Sequence, residues 1–198
     1  MDAKYMKTPL TEDDVMGLRA GDIVYLSGSI LIARDAAHKR LVESLSSGGE
    51  EPFPIKGEII FYAGPAPTPP GEVIGPIGPT TSGRMDPYTP FLLDRGMKGM
   101  IGKGKRSPEV LESIRKNRAV YFGATGGTAV LLSRSVVSVE MVAYEDLGPE
   151  SVRRLRVREM PLVVLADPHG GDIYVSGPEE ALRLIRAECS ESTPEKEF

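Results

Sequence analysis

DIVYLSGSILIARDAAHKRLVESL, residues 22–45, changes character halfway along. Residues 22–32 are rich in β-branched and long apolar side chains and read as a strand. From Arg34 to Leu45 the pattern switches: Ala36, Ala37, Arg40, Leu41 and Leu45 recur at helical spacing. A strand that feeds a helix with no room for a loop is the unit of an α/β fold, and the chain repeats it. Strands are predicted at 58–63, 99–101, 119–122, 136–144, 155–158, 162–166 and 173–175. Helices are predicted at 88–95, ending on Gly96, at 108–117, capped by Ser107 with Pro108 at its first position, and in the run after Gly126-Gly127-Thr128. Thr11 caps a short helix with Asp13 and Asp14 in its first turn. A terminal helix spans 178–187 with Glu179 and Glu180 in its first turn. The alternation predicts an α/β domain over residues 1–189, followed by a polar, frayed tail at 190–198.

Composition narrows the function classes. The chain has 198 residues, 24 Lys+Arg against 28 Asp+Glu, a formal charge of −4 and one cysteine, Cys189. A single cysteine excludes an internal disulfide framework, and also a zinc or iron–sulfur site built from several cysteines of this chain. The mild acidic balance argues against broad binding to nucleic acid or anionic membranes. No apolar stretch approaches a membrane span, and MDAKYMKTPLTEDD lacks the apolar region of a secretory signal. A cytoplasmic location is the expectation.

Glycine and proline are concentrated. Residues 64–90 hold eight prolines and five glycines. Such density fits either a flexible hinge or an ordered loop of fixed backbone shape. Few charges and apolar residues close to the turns favour the ordered loop.

A few basic residues occupy special backbone positions. Arg34 opens a helix directly after an apolar strand, Arg84 ends the Thr80-Thr81-Ser82-Gly83-Arg84 turn, and Lys103 lies between Gly102 and Gly104. A cation at a helix N-terminus is opposed by the helix dipole. An anion bound between Arg34 and Lys103 would remove that conflict, and Arg suits a planar carboxylate. The competing reading pairs each Arg with a local acid such as Asp35 or Asp86. Lys105 and Arg106 read as a solvated patch. Gly102-Lys103-Gly104 lacks the phosphate-loop pattern and the 123–127 turn lacks dinucleotide spacing. His38 and His169 have no ligand cluster; for His38, one helical turn past Arg34, structural roles are favoured over orienting Arg34 or touching a ligand. Cys189 reads as inert.

Three strings together carry a resemblance: Arg34-Asp35-Ala36-Ala37-His38-Lys39-Arg40, Gly78-Pro79-Thr80-Thr81-Ser82-Gly83-Arg84-Met85-Asp86, and Gly102-Lys103-Gly104-Lys105-Arg106-Ser107. In order and spacing they resemble the beta subunit, or the equivalent C-terminal domain, of class I fumarate hydratase and L-tartrate dehydratase, over residues from about 11 to 188. The resemblance implies a swivelling β/β/α domain with a mixed central sheet. It implies a beta subunit that is inactive alone, with a partner alpha subunit carrying a [4Fe–4S] cluster, in an assembly of two alpha and two beta chains. This chain would bind neither metal nor cofactor, and the isolated chain could self-associate. The implied activity is reversible hydration of fumarate to (S)-malate.

The resemblance also implies residue roles: Arg34 and Arg84 as carboxylate binders, Thr80 as catalytic base, and Lys103 as a substrate or charge contact with a catalytic part. His38 and Asp86 stand behind them. Lys105 and Ser82 depart from the family, where Asn and Ala are frequent, which leaves fumarate and tartrate undivided. A non-enzymatic anion-binding or assembly module of the same fold is the reading from a different class.

Overall fold

The structure, a computed structural model, describes residues 3–191, with side chains placed as far as residue 186 apart from Gly126. In chain order the elements are β1 (Lys4–Lys7), α1 (Glu12–Met16), β2 (Ile23–Ile32), α2 (Asp35–Ser46), β3 (Ile59–Phe61), α3 (Thr89–Asp94), β4 (Gly99–Gly102), α4 (Pro108–Lys116), β5 (Val120–Gly123), α5 (Ala129–Arg134), β6 (Val136–Ala143), β7 (Val152–Ala166) and α6 (Ile173–Glu191). Single 3₁₀ turns occupy Ser82–Met85 and Gly126–Thr128, and Glu145–Glu150 holds 3₁₀ structure broken by a kink at Gly148.

The strands form one mixed sheet in the order β1-β2-β3-β4-β5-β7-β6, and a further β2–β7 pairing closes it on itself. β2, β3, β4 and β5 are parallel; β7 runs antiparallel to both β2 and β5. Ile32, Phe61, Ile101 and Phe122 lie side by side in register. The chain therefore leaves four neighbouring parallel strands on one rim, and the segments that emerge from adjacent strands meet there.

Alternation along the strands builds two apolar layers. Ile30, Ile32, Ile59, Phe61, Ile101 and Phe122 face the inside of the closed sheet with Leu155, Leu162 and Val164. Leu31, Ile60, Met100 and Tyr121 face outward, where Leu41 of α2, Leu92 of α3 and Ile114 of α4 cover them. Helices α2, α3 and α4 thus lie on the outer side of the sheet, while Val15 of α1 and Leu132 of α5 join the inner layer. The α/β class expected from the alternation is the class observed.

Two local expectations are corrected, and one strand is unexpected. The four-residue strand β1 leaves no mark in the sequence, because KYMK buries only alternate residues partly. The two strands predicted at 155–158 and 162–166 are one strand, β7. Glu159 takes φ +47° where the pairing with β2 slips between Leu26 and Gly28, so Val157 and Met160 keep the same face across an irregularity that hides the period. The strand predicted at 173–175 and the helix at 178–187 are the single helix α6, with Pro178 inside it. Its start is set by Asp172, whose carboxylate accepts from the Tyr174 amide at 2.9 Å. Most of the tail expected from residue 190 lies outside the described residues, and so does the side chain of Cys189.

Candidate functional site

The rim begins with Arg34, the residue immediately before α2. Its backbone is extended and no side chain caps the helix. Glu150, 116 residues away, does that work with its carboxylate. One oxygen accepts from Arg34 Nη2 at 2.7 Å and the other from the Ala36 amide at 2.8 Å. Burial pushes the Glu150 carboxyl up, but the Ala36 amide and the Arg34 and Arg84 guanidiniums outweigh it and hold the group below its ordinary range. The conflict between a cation and the α2 dipole is thus resolved inside the protein.

His38 lies one turn into α2 and is 1% exposed. Its Nδ1 stands 3.0 Å from the Arg34 carbonyl, which can only accept, so Nδ1 carries the proton. The ring packs edge-on against Tyr62, 5.1 Å between centroids. Burial pulls its pKa down to about 4, leaving a neutral imidazole at neutral pH. Among the described residues, the buried side-chain nitrogens and oxygens without a hydrogen-bond partner are Arg34 Nε, Asp35 Oδ2 and His38 Nε2, all in this one turn.

The glycine- and proline-rich segment comes after β3. Its tip, residues 66–73, is exposed, but its two feet are tied. The Ala66 amide donates to the Pro76 carbonyl at 3.0 Å, Ile74 and Ile77 are buried, and the Ile77 amide donates to the Ala129 carbonyl at 3.2 Å. Gly75 lies so close to Ala66 and Pro67 that a Cβ there would overlap their carbonyls. The loop reading holds over the hinge reading at both feet. On its return the chain pairs Pro79 with Ala63, and the Thr80 amide donates to the Tyr62 carbonyl at 2.7 Å. That bond fixes a half-buried Thr80 at the end of β3.

Thr81 then pairs with Lys103 beyond the end of β4. Ser82 is fully buried: its amide donates to the Lys103 carbonyl at 2.8 Å, and its hydroxyl accepts from the Lys103 amide at 3.1 Å. Tyr121 Oη lies 2.9 Å from the Ser82 hydroxyl and 2.9 Å from the Gly104 carbonyl. The Gly104 amide in turn donates to Tyr174 Oη of α6 at 2.9 Å. The exposed Arg84 pairs through Nε with Asp35 at 2.8 Å. Lys103 is exposed and has no ion-pair partner among the described residues. It borders a cavity of about 330 Å³ with Ala124, Thr125 and Tyr174.

Arg34, Thr80, Arg84 and Lys103 therefore emerge on one rim, linked through the Asp35–Arg84 pair and the Thr81–Lys103 bridge. Three readings are corrected. Lys103 does not sit at a helix N-terminus: Ser107 caps α4, its hydroxyl accepting from the Val110 amide at 3.4 Å. The local-acid reading fails for both arginines: Arg84 pairs not with the neighbouring Asp86 but with Asp35 of α2, and Arg34 pairs not with Asp35 but with the distant Glu150. Lys105 is exposed as expected, but Arg106 is no solvated residue. Its side chain is 1% exposed and bonds Asp86 at 2.7 Å and Thr89 at 2.8 Å. Asp86 also accepts from the Ser107 amide at 2.7 Å. The second-rank residues separate accordingly: His38 braces Arg34, and Asp86 serves Arg106. Glu150, Ser82, Tyr121 and Tyr174 are the site residues that sequence reasoning missed.

Residues 3–177 match the family described as fumarase C-terminus. The chain is 41% identical over 177 residues to the putative L(+)-tartrate dehydratase subunit beta of Methanocaldococcus jannaschii, covering 86% of this chain and 91% of that protein. It is 36% identical to the L(+)-tartrate dehydratase subunit beta of Escherichia coli (strain K12), covering 86% of each. To the anaerobic class I fumarate hydratase of the same organism it is 38% identical over 170 residues, 85% of this chain and 30% of that protein. The chain thus spans less than a third of that fumarate hydratase. No helix among the described residues is long and apolar enough to cross a membrane.

Proposed function

The chain belongs to the fumarase C-terminus family, and from that premise we propose that it is the beta subunit of a two-subunit hydro-lyase that reversibly hydrates fumarate to (S)-malate. The observation that carries the beta-subunit reading is coverage, since the chain accounts for 91% and 86% of two proteins named as beta subunits; fumarate as substrate rests on the similarity to the class I fumarate hydratase. The partner is then an alpha subunit, in an assembly of two of each, working in the cytoplasm. It brings a [4Fe–4S] cluster, which when bound supplies a Lewis acid for the substrate hydroxyl. Among the described residues of this chain no group of three or more His, Cys, Asp or Glu could hold a metal ion.

This chain's own contribution is charge and position. The rim sets Arg34, Arg84 and Lys103 against Asp35 and Glu150, a balance of one positive charge facing a doubly negative dicarboxylate. Taking a proton from the carbon beside one carboxylate spreads negative charge onto that carboxylate, which Arg84 and Lys103 stabilise in this reading, while Arg34 holds the other carboxylate. Thr80, anchored by its amide, is the proton acceptor in this reading. A hydroxyl reaches that role only with neighbouring positive charge, which Arg84 and Lys103 supply.

L-tartrate is the second candidate substrate, favoured by the names of the two beta subunits that the chain covers almost completely. The test is to assemble the chain with its alpha subunit under anaerobic conditions and to follow turnover of fumarate and of L-tartrate. Turnover of one and not the other chooses between them; no turnover of any hydroxy-dicarboxylate ends the hydro-lyase reading. Tight phosphate binding by the isolated chain in calorimetry would replace it with an anion-binding module. In the active assembly Thr80→Ala lowers kcat by about a hundredfold or more, and an unchanged kcat removes Thr80 from its role.

A further inference from the structure

We infer that Glu150 is the positioning residue for Arg34: its carboxylate fixes the guanidinium and the first turn of α2 so that the other Arg34 donors are set for a substrate carboxylate. The inference rests on the hydro-lyase reading above. It begins from an arrangement that is costly to maintain without purpose. Glu150 crosses from the turn before β7 to bridge Arg34 Nη2 and the Ala36 amide, while Arg34 Nε, Asp35 Oδ2 and His38 Nε2 stay buried with no partner in the same turn. A guanidinium carries five N–H donors, and Glu150 takes one of them. Nη1 lies against Gly64, where a Cβ would come within 3.2 Å of it, so the side chain has little room to swing. The backbone is pinned as well, since the Arg34 carbonyl accepts from both the amide and the ring of His38.

A carboxylate on a substrate-binding arginine could instead be a plug that the substrate displaces. The surroundings of Glu150 speak against that. The turn Glu145–Glu150 is fastened to α2 at a second point, where Arg40 grips both oxygens of Asp146 at 2.7 and 2.8 Å with its guanidinium 5.1 Å from the centre of the Tyr144 ring. Leu147 packs against the outer apolar layer. The Ser151 hydroxyl closes the turn on the Gly148 carbonyl at 2.7 Å, and β7 begins at the fully buried Val152. Glu150 is held from both sides, so it orients Arg34 and does not vacate it.

An arginine that holds a substrate carboxylate equally before and during the reaction sets KM and leaves kcat alone. In the assembly with the alpha subunit, Glu150→Ala and the milder Glu150→Gln are expected to raise KM tenfold or more with kcat within threefold. In an Arg34→Ala background Glu150→Ala is expected to change KM by less than twofold, because its effect passes through Arg34. An unchanged KM, a lowered KM (the plug), or an equal effect in both backgrounds overturns the inference. Amide hydrogen exchange on the isolated chain supplies a second readout: Glu150→Ala should speed exchange at Ala36 at least tenfold, and retained protection refutes the proposal whether or not the assembly turns over. A wild-type assembly without turnover fails the hydro-lyase reading; an active wild type with indifferent Glu150 variants fails this one.

Discussion

Replacing Arg106 by methionine keeps an apolar stem of similar reach and deletes the guanidinium. Arg106 is 1% and Asp86 15% exposed at the side chain, so this ion pair sits in the protein and not on its surface. The guanidinium uses Nε on Asp86, Nη2 on the Thr89 hydroxyl, and rests 5.4 and 5.0 Å from the ring centres of Tyr62 and Tyr121. After the substitution Asp86 keeps its bond from the Ser107 amide but loses its counter-charge in a site with little water. Removing one partner of a buried pair costs about 3–5 kcal/mol, chiefly through the charge left behind. For a chain of 198 residues each kcal/mol moves the melting temperature by about 2–4 °C, so the expected fall is about 6–20 °C.

The assay is thermal unfolding of the isolated chain, backed by urea unfolding to check that the slope is unchanged. A second arm combines Arg106→Met with Asp86→Ala. With neither charge left stranded, the double variant should be less damaged than the sum of the singles, with a coupling of about 1–3 kcal/mol. A fall of less than about 3 °C, or plain additivity, would show that the pair is solvated and that the burial argument is wrong. Lysine is a poor rescue, because a point charge cannot reach Asp86 and Thr89 together.

Two further outcomes are expected from the same geometry. His38 is pulled by burial from 6.5 to about 4, so the unfolded chain binds a proton that the folded chain refuses between those values. Stability from this group is complete above pH 6.5 and is lost as pH falls towards 4, by up to about 3 kcal/mol; urea unfolding across that range should show it, and His38→Leu should flatten that part of the profile. A steep profile in His38→Leu assigns the acid lability elsewhere. At Gly102 a Cβ would overlap the Ser82 hydroxyl and press on Tyr62, so Gly102→Ala should cost about 1–3 kcal/mol in chemical denaturation and loosen the Lys103 loop; a neutral effect means that Ser82 is free to move.

How far the fold can be read from the sequence depends on where its information lies. The β2–α2 unit is legible because a change of period is local, and the α4 start because Ser107 and Pro108 stand in adjacent positions. α6 reads as two elements because Pro178 looks like a first helical position, whereas Asp172 is the true cap. β7 reads as two strands because Glu159 in a left-handed conformation interrupts alternation while leaving the strand continuous. At the site, Arg34 and Arg84 stand out as cations in unfavourable or unusual backbone positions. Glu150 gives no such signal, since it acts 116 residues from its partner. Arg106 is misleading for a related reason: beside Lys103 and Lys105 it looks solvated, and only Asp86, 20 residues back, and the rings of Tyr62 and Tyr121 bury it.

The resolution of the α2 dipole changes what the site can be said to lack. An arginine at a helix N-terminus suggests a missing anion, yet Glu150 and Asp35 already stand beside Arg34 and Arg84. At Arg34 and Arg84 unpaired positive charge is therefore no argument for a ligand; the exposed Lys103, placement on one rim and membership of the family are. The same pairing bears on how a carboxylate would bind. Arg34, held by Glu150, has lost part of its side-chain entropy before any ligand arrives, and its Nη donors not taken by Glu150 keep a fixed direction. Binding then depends on whether the two carboxylates of a substrate match the spacing of those donors. On the proposed reading a diacid would engage both arginines whereas a lone phosphate or acetate would engage one, so discrimination would come from geometry more than from charge.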